Sequence, residues 1–317
     1  MSKITSLNEK FESSRGNPHG FPATMHYTIT EESGGAIELC IKDAEMDDKV
    51  WRCADSWGLA AFDEACKTLS KPPSLLHFNM RNPSEKEKPK YEALKRRLSY
   101  LSIKNKFISK TIIVGGREEG LYTADELKNR PVKEILHNDY LPRGDDDKPG
   151  RLEKDFQTYL FGKGLYDGNN DEIGRTNERL ALLGEDFIHK NKFRIEREFP
   201  TGVFNGDIKE CNRILPTDFI DLVTINKNKN IAVIEIKFND KPLEVISQLL
   251  NYALFFFMYR KQLTPLLDVK FACDTSKFGL DCYIVSNAFH KRYGDVWKYY
   301  AGGKISMKQI TIGYINT

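Results

Sequence analysis

The sequence predicts a two-domain α/β protein, with a mixed central sheet flanked by helices in its second part and a separate α/β domain before it. Three observations predict this. Short apolar runs rich in Val, Ile, Thr and aromatics recur in both halves, as in MHYTIT, TIIVGG, DFIDLVTI and IAVIEIKF. Stretches with helical apolar spacing alternate with them. Between the halves lies LPRGDDDKPG, residues 141–150, where proline, glycine and a charge run form the composition of a linker. The chain has 317 residues, more than one domain usually holds, and the predicted domains are 1–145 and 151–317.

The elements follow in order. MHYTIT and AIELCIKDAEM read as strands joined by EESGG, whose paired glycines suit a hairpin. From Asp55 the apolar residues Leu59, Phe62, Cys66 and Leu69 mark a helix ended by two prolines. A second helix, near 89–103, turns Leu94, Leu98 and Leu101 inward and Lys95, Arg96 and Arg97 outward. TIIVGG is a strand and YTADELKNR a short helix. Gly115-Gly116 lacks the continuation of a nucleotide-binding loop. Beyond the linker, helices are predicted near 151–162 and 177–189, strands at 193–199, 218–225 and 231–238, a long helix near 242–261, and a strand near 281–289.

Composition narrows the partners. A net charge of +3 leaves bulk charge silent, so a nucleic acid would have to be held by a local patch. Six cysteines without a CxxC pair argue against a zinc site or a disulfide framework and read as reduced, mostly buried thiols. The N-terminus has no apolar signal core, and the longest apolar stretch, Leu249 to Tyr259, is too short to span a bilayer. A cytoplasmic protein without membrane contact is expected, with association into homo-oligomers left open.

The chemistry concentrates in TDFIDLVTINKNKNIAVIEIKF. If the two strands pair symmetrically about Asn228, Asp221 stands across from Glu235, with their Cβ atoms about 5 Å apart on one face. Alternation puts Lys237 on the face of Glu235 and Asp218 on the other. Two carboxylates this close repel unless a cation lies between them, and hard oxygen donors favour Mg²⁺ or Mn²⁺. Such an ion can activate water and neutralise a scissile phosphate, while a neighbouring lysine orients the water or helps deprotonate it.

These residues resemble the PD-(D/E)XK signature: Asp221, then Glu235-Ile236-Lys237 at the end of an apolar strand, with Pro216-Thr217-Asp218 a loose echo of the PD element. Gln248 and Tyr252, four apart on the following helix, resemble the QxxxY element of RecB-type members. The resemblance covers about residues 151–290. It implies a restriction-endonuclease-like core in the order helix, three strands, helix, strand, and a metal-dependent nuclease. The ion would be held by Asp221, Glu235 and the carbonyl of Ile236. It further implies an acidic residue from the first core helix. Glu178 resembles that position best, Glu153 competes, and Glu185 and Glu198 are weaker candidates. The substrate implied is DNA before RNA, in restriction, repair or phage defence. The rival reading is a catalytically silent relative of the same fold that binds nucleic acid or a partner protein. A further rival is an interaction protein whose hairpin merely displays these charges.

Overall fold

The computed structural model describes residues 21, 22, 24–31, 36–43, 48–129, 134–136, 152–161, 178–188, 193–239, 242–302 and 305–312. The predicted linker at 141–150 lies outside them. The chain divides into two compact units, each with a mixed α/β architecture. The first comprises Met1–Arg130, Pro242–Asn251 and Phe289–Tyr300; the second comprises Pro131–Lys241, Tyr252–Ala288 and Ala301–Thr317. A single boundary near 145 is therefore not how the chain partitions. Two late segments return to the first unit because side chains there need them, as described next.

In the first unit β1 (Met25–Glu31) and β2 (Ile37–Asp43) form the expected antiparallel pair. Helix α1 (Asp48–Thr68) then crosses to β3 (Leu75–Met80), parallel to β2. Helix α2 (Lys88–Lys104) crosses to β4 (Thr111–Val114), and β5 (Arg117–Gly120) folds back antiparallel. Gly115 and Gly116, with φ of 55° and 79°, supply the left-handed pair that the tight turn between β4 and β5 requires. Helix α3 (Ala124–Lys128) starts with a capping box between Thr123 and Glu126.

The outward placement of Arg96 and Arg97 is corrected: both are buried. Arg97 donates to Asp55 Oδ1 at 3.0 Å, to the Trp51 carbonyl at 2.8 Å and to Asn251 Oδ1 at 2.8 Å, and Arg96 donates to Glu92 at 2.7 Å. Lys95 pairs with Glu119 at 2.9 Å. The three acceptors that face Arg97 make its burial tolerable. The late segments supply further partners: Tyr300 donates to Asp55 at 2.7 Å, and Arg292 pairs with Glu64 at 2.8 Å.

The second unit opens with β6 (Glu134–Leu136) and helix α4 (Leu152–Phe161). Strands β7 (Glu196–Pro200), β8 (Val203–Asn205), β9 (Arg213–Leu215), β10 (Phe219–Ile225) and β11 (Ile231–Lys237) follow. After helices α5 (Val245–Met258) and α6 (Arg260–Phe271) come β12 (Leu280–Ser286), α7 (Tyr293–Tyr300) and β13 (Ser306–Thr311). Helix α5 changes unit at Asn251, and α7 belongs to the first unit. The main sheet has the order β13-β12-β11-β10-β7; β6, β8 and β9 form a small sheet of their own. β11, β12 and β13 run parallel, while β10 is antiparallel to both neighbours.

The expected helix near 177–189 is corrected from Ala181 onward to two 3₁₀ turns, Ala181–Leu183 and Glu185–Phe187. They are separated by Gly184 at φ 107°, a conformation no α-helix contains. The expected helix over 242–261 stops at Met258, and α6 starts afresh. One face of the main sheet, carrying Leu222, Ala232, Ile234, Ile236 and Val285, buries against Phe156 and Leu160 of α4. Among the described residues no helix is long and apolar enough to cross a membrane. No disulfide joins the cysteines; Cys53 and Cys282 are buried, Cys211 is exposed and the other three are intermediate.

Candidate active site

The connection between β10 and β11 explains the register on which the site depends. Asn226 is buried; its Oδ1 accepts from the backbone N–H groups of Asn228 and Asn230, and its own N–H donates to the Asn230 carbonyl at 3.0 Å. Its Nδ2 donates to Asp281 Oδ2 at 2.6 Å and Tyr283 Oη at 2.9 Å. The asparagine-rich loop is thus closed symmetrically and moored to β12. Pairing then runs Ile225 with Ile231, Thr224 with Ala232, Val223 with Val233 and Leu222 with Ile234. Continued by one position, this register sets Asp221 opposite Glu235.

The side chains confirm that proximity. Asp221 Oδ2 accepts from the Ile236 N–H at 2.7 Å. Glu235 is 1% exposed; its Oε1 lies 2.8 Å from Lys237 Nζ, and its buried Oε2 has no hydrogen-bond partner among the described residues. Lys237 Nζ also donates to Glu153 Oε1 at 3.0 Å. Of the helical acids weighed from the sequence, the structure brings Glu153 of α4 to Lys237. Glu178 is exposed, and no contact with these three residues is seen among the described residues. One turn after Glu153, Gln157 donates from Nε2 to the Asp221 carbonyl at 2.9 Å. Sequence reading passed over Gln157, although its spacing from Glu153 puts both on one helix face.

Tyr252 is buried and donates to the Phe219 carbonyl at 3.1 Å, two residues before Asp221. It pins the start of β10. Gln248 is half-buried on the same helix. Asp218 lies before the strand, where its backbone exchanges hydrogen bonds with Thr201. Tyr252→Phe should cost about 1 kcal/mol of stability, as for an ordinary buried hydrogen bond. Chemical denaturation measures this, and an unchanged midpoint would show that the contact does not hold the strand.

The electrostatics are those of a site short of positive charge. Burial raises Asp221 to about 6; Lys237 and the Ile236 N–H oppose the shift, while Glu153 and Glu198 add to it. Burial raises Glu235 too, and Asp221 reinforces the effect. For Lys237 burial works against the charge, but Glu235, Asp221 and Glu153 overcome it and hold the ammonium above the usual lysine range.

The sign of the pH effect follows. An acid with a folded value above its unfolded one binds more protons when folded, so its contribution is most favourable below about pH 4 and is lost as pH rises to about 6. Without divalent cation, the stability gained by Asp221→Asn over wild type should therefore be larger at about pH 7.5 than at about pH 4.5. Thermal melts across that range test this; a pH-independent difference would contradict it.

Asp221, Glu235 and the Ile236 carbonyl offer the hard oxygen donors that Mg²⁺ or Mn²⁺ takes. The unpartnered Glu235 Oε2 fits such a ligand. Among the described residues no group of three or more His, Cys, Asp and Glu side chains is gathered to hold an ion. A site made here would rest on two carboxylates, a backbone carbonyl and water.

No protein-family model matches the chain, and no curated protein matches it. Among solved structures it is similar to a repair endonuclease from Pyrococcus abyssi, with 14% identity and a TM-score of 0.23. The alignment covers 46% of this chain and 47% of that one, about half of each.

Proposed function

We propose that the second unit is a divalent-cation-dependent nuclease of the PD-(D/E)XK kind that hydrolyses phosphodiester bonds, in DNA before RNA. The observation that carries this reading is the buried, unpartnered Glu235 Oε2, one strand from Asp221 and beside Lys237. Asp221 and Glu235, with the Ile236 carbonyl, would hold Mg²⁺ or Mn²⁺. When bound, such an ion supplies a water of lowered pKa and neutralises charge on the phosphate.

The chain's own groups do the rest. Lys237, kept charged by its carboxylate neighbours, acts as a donor that orients the attacking water or a phosphate oxygen. Glu153 fixes the ammonium from α4, and Gln157 fixes the backbone of Asp221. Restriction, repair or phage defence is the setting that the resemblance suggests.

One observation favours a second reading, a catalytically silent relative that binds nucleic acid or a partner. Lys237 is already engaged by two carboxylates, and no three ligating side chains converge among the described residues. The two readings part in a cleavage assay on linear, circular and single-stranded DNA and on RNA, with Mg²⁺ or Mn²⁺. Wild type should cleave, and Glu235→Ala and Lys237→Ala should not. Absence of cleavage together with absence of any cation-induced rise in unfolding temperature would favour the silent relative.

A further inference from the structure

β7 pairs with β10 through Phe219 with Pro200, Ile220 with Phe199, Leu222 with Arg197 and Val223 with Glu196. The offset is the same on both sides of the missing step, so Glu198 stands opposite Asp221 with no residue inserted. The β10–β11 register puts Glu235 on the other side of Asp221. Glu198, Asp221 and Glu235 therefore occupy one row across three adjacent strands.

Glu198 holds its place with a left-handed backbone, φ 51°, where glycine or asparagine is the usual occupant. Its charge bears on Asp221. A row of carboxylates is costly by itself. What points to a ligand is the same Glu235 Oε2, which is buried and accepts no hydrogen bond among the described residues.

Resting on the cation-dependent reading above, we propose that Glu198 is a third acidic group of that cation site, acting on a Mg²⁺- or Mn²⁺-class ion through an ordered water. Direct ligation is the less suitable role, because three acidic side chains do not converge among the described residues. The role is a positioning one. Glu198 accepts a hydrogen bond from the water and adds negative potential on the side of Asp221 facing β7. The left-handed backbone is then retained for the carboxylate it presents, since asparagine or glycine would occupy the position with less strain.

The test uses the full chain and Mn²⁺ alone as probe, with affinity read by calorimetry and by the rise in unfolding temperature. Glu198→Asn and Glu198→Gly both suit a left-handed backbone and both remove the charge. Each should bind Mn²⁺ about 10-fold more weakly, the usual effect of losing an outer partner of a metal site. Without the ion, each should unfold at the wild-type temperature or above it. Unchanged Mn²⁺ affinity in both, with affinity lost in Asp221→Asn, would overturn the role of Glu198 and leave the cation reading standing. Loss of affinity accompanied by a lower unfolding temperature in both would assign Glu198 a structural role and overturn the proposal. No Mn²⁺ uptake by the wild type would overturn both readings together.

Discussion

Lys237→Ala is expected to reduce single-turnover cleavage by about 10³-fold or more, the scale of losing a positioned proton-bearing group at a reacting phosphate. The same substitution should lower stability near neutral pH by about 3 kcal/mol in the absence of divalent cation, because it strands a buried carboxylate. Glu235 is 1% exposed, and Lys237 is the hydrogen-bond partner of its Oε1. A saturating divalent cation should restore most of the stability and none of the cleavage. That split separates the two roles of the lysine, as compensating charge and as donor to the reacting groups. Lys237→Arg should rescue stability better than activity, since a planar guanidinium cannot reproduce the point geometry of an ammonium. Cleavage within about 10-fold of wild type in the alanine variant would remove Lys237 from the chemistry.

The largest stability effect is expected in the first unit. Arg97→Met should cost about 3–5 kcal/mol, read as a shift in the urea midpoint at constant slope. Arg97 binds Asp55, the Trp51 carbonyl and Asn251, and Asp55 itself is fully buried. Removing the guanidinium leaves Asp55 with Tyr300 as its remaining donor among the contacts described. Replacing Asp55 by leucine in the same chain should recover a large part of the loss, because burying neither charge costs less than burying one. Additive losses from the two substitutions would contradict this account of the pair.

How much of this could be read in the sequence differed by element, for physical reasons. The β10–β11 hairpin was legible because two long apolar runs flank a short polar loop, and symmetric closure about Asn228 then fixed which residues face each other. The order of helix, strands, helix and strand in the second unit was legible from periodicity. β8 and β9 were not, since three residues carry no period. The choice between Glu153 and Glu178 was undecidable for a different reason: both lie in segments read as helical, and only tertiary placement brings one to Lys237. Arg96 and Arg97 looked solvated because charge runs usually are, and their acceptors on α1, on α2 itself and at Asn251 cannot be inferred from helical spacing alone. Glu198 was weighed from the sequence only as an acid; its backbone conformation, which sets it apart, leaves no trace in composition.

The interleaved membership of the two units has a consequence for synthesis on the ribosome. Asn251, Arg292 and Tyr300 complete polar contacts whose other members lie before residue 100. An emerging chain that has displayed everything up to residue 145 still lacks 242–251 and 289–300, and so carries buried-type charges such as Asp55 without their full complement. The first unit to be translated is thus among the last to be finished. A nascent chain stalled between the two halves should be captured by chaperones and cleaved readily by proteases, and release of the finished chain should end both.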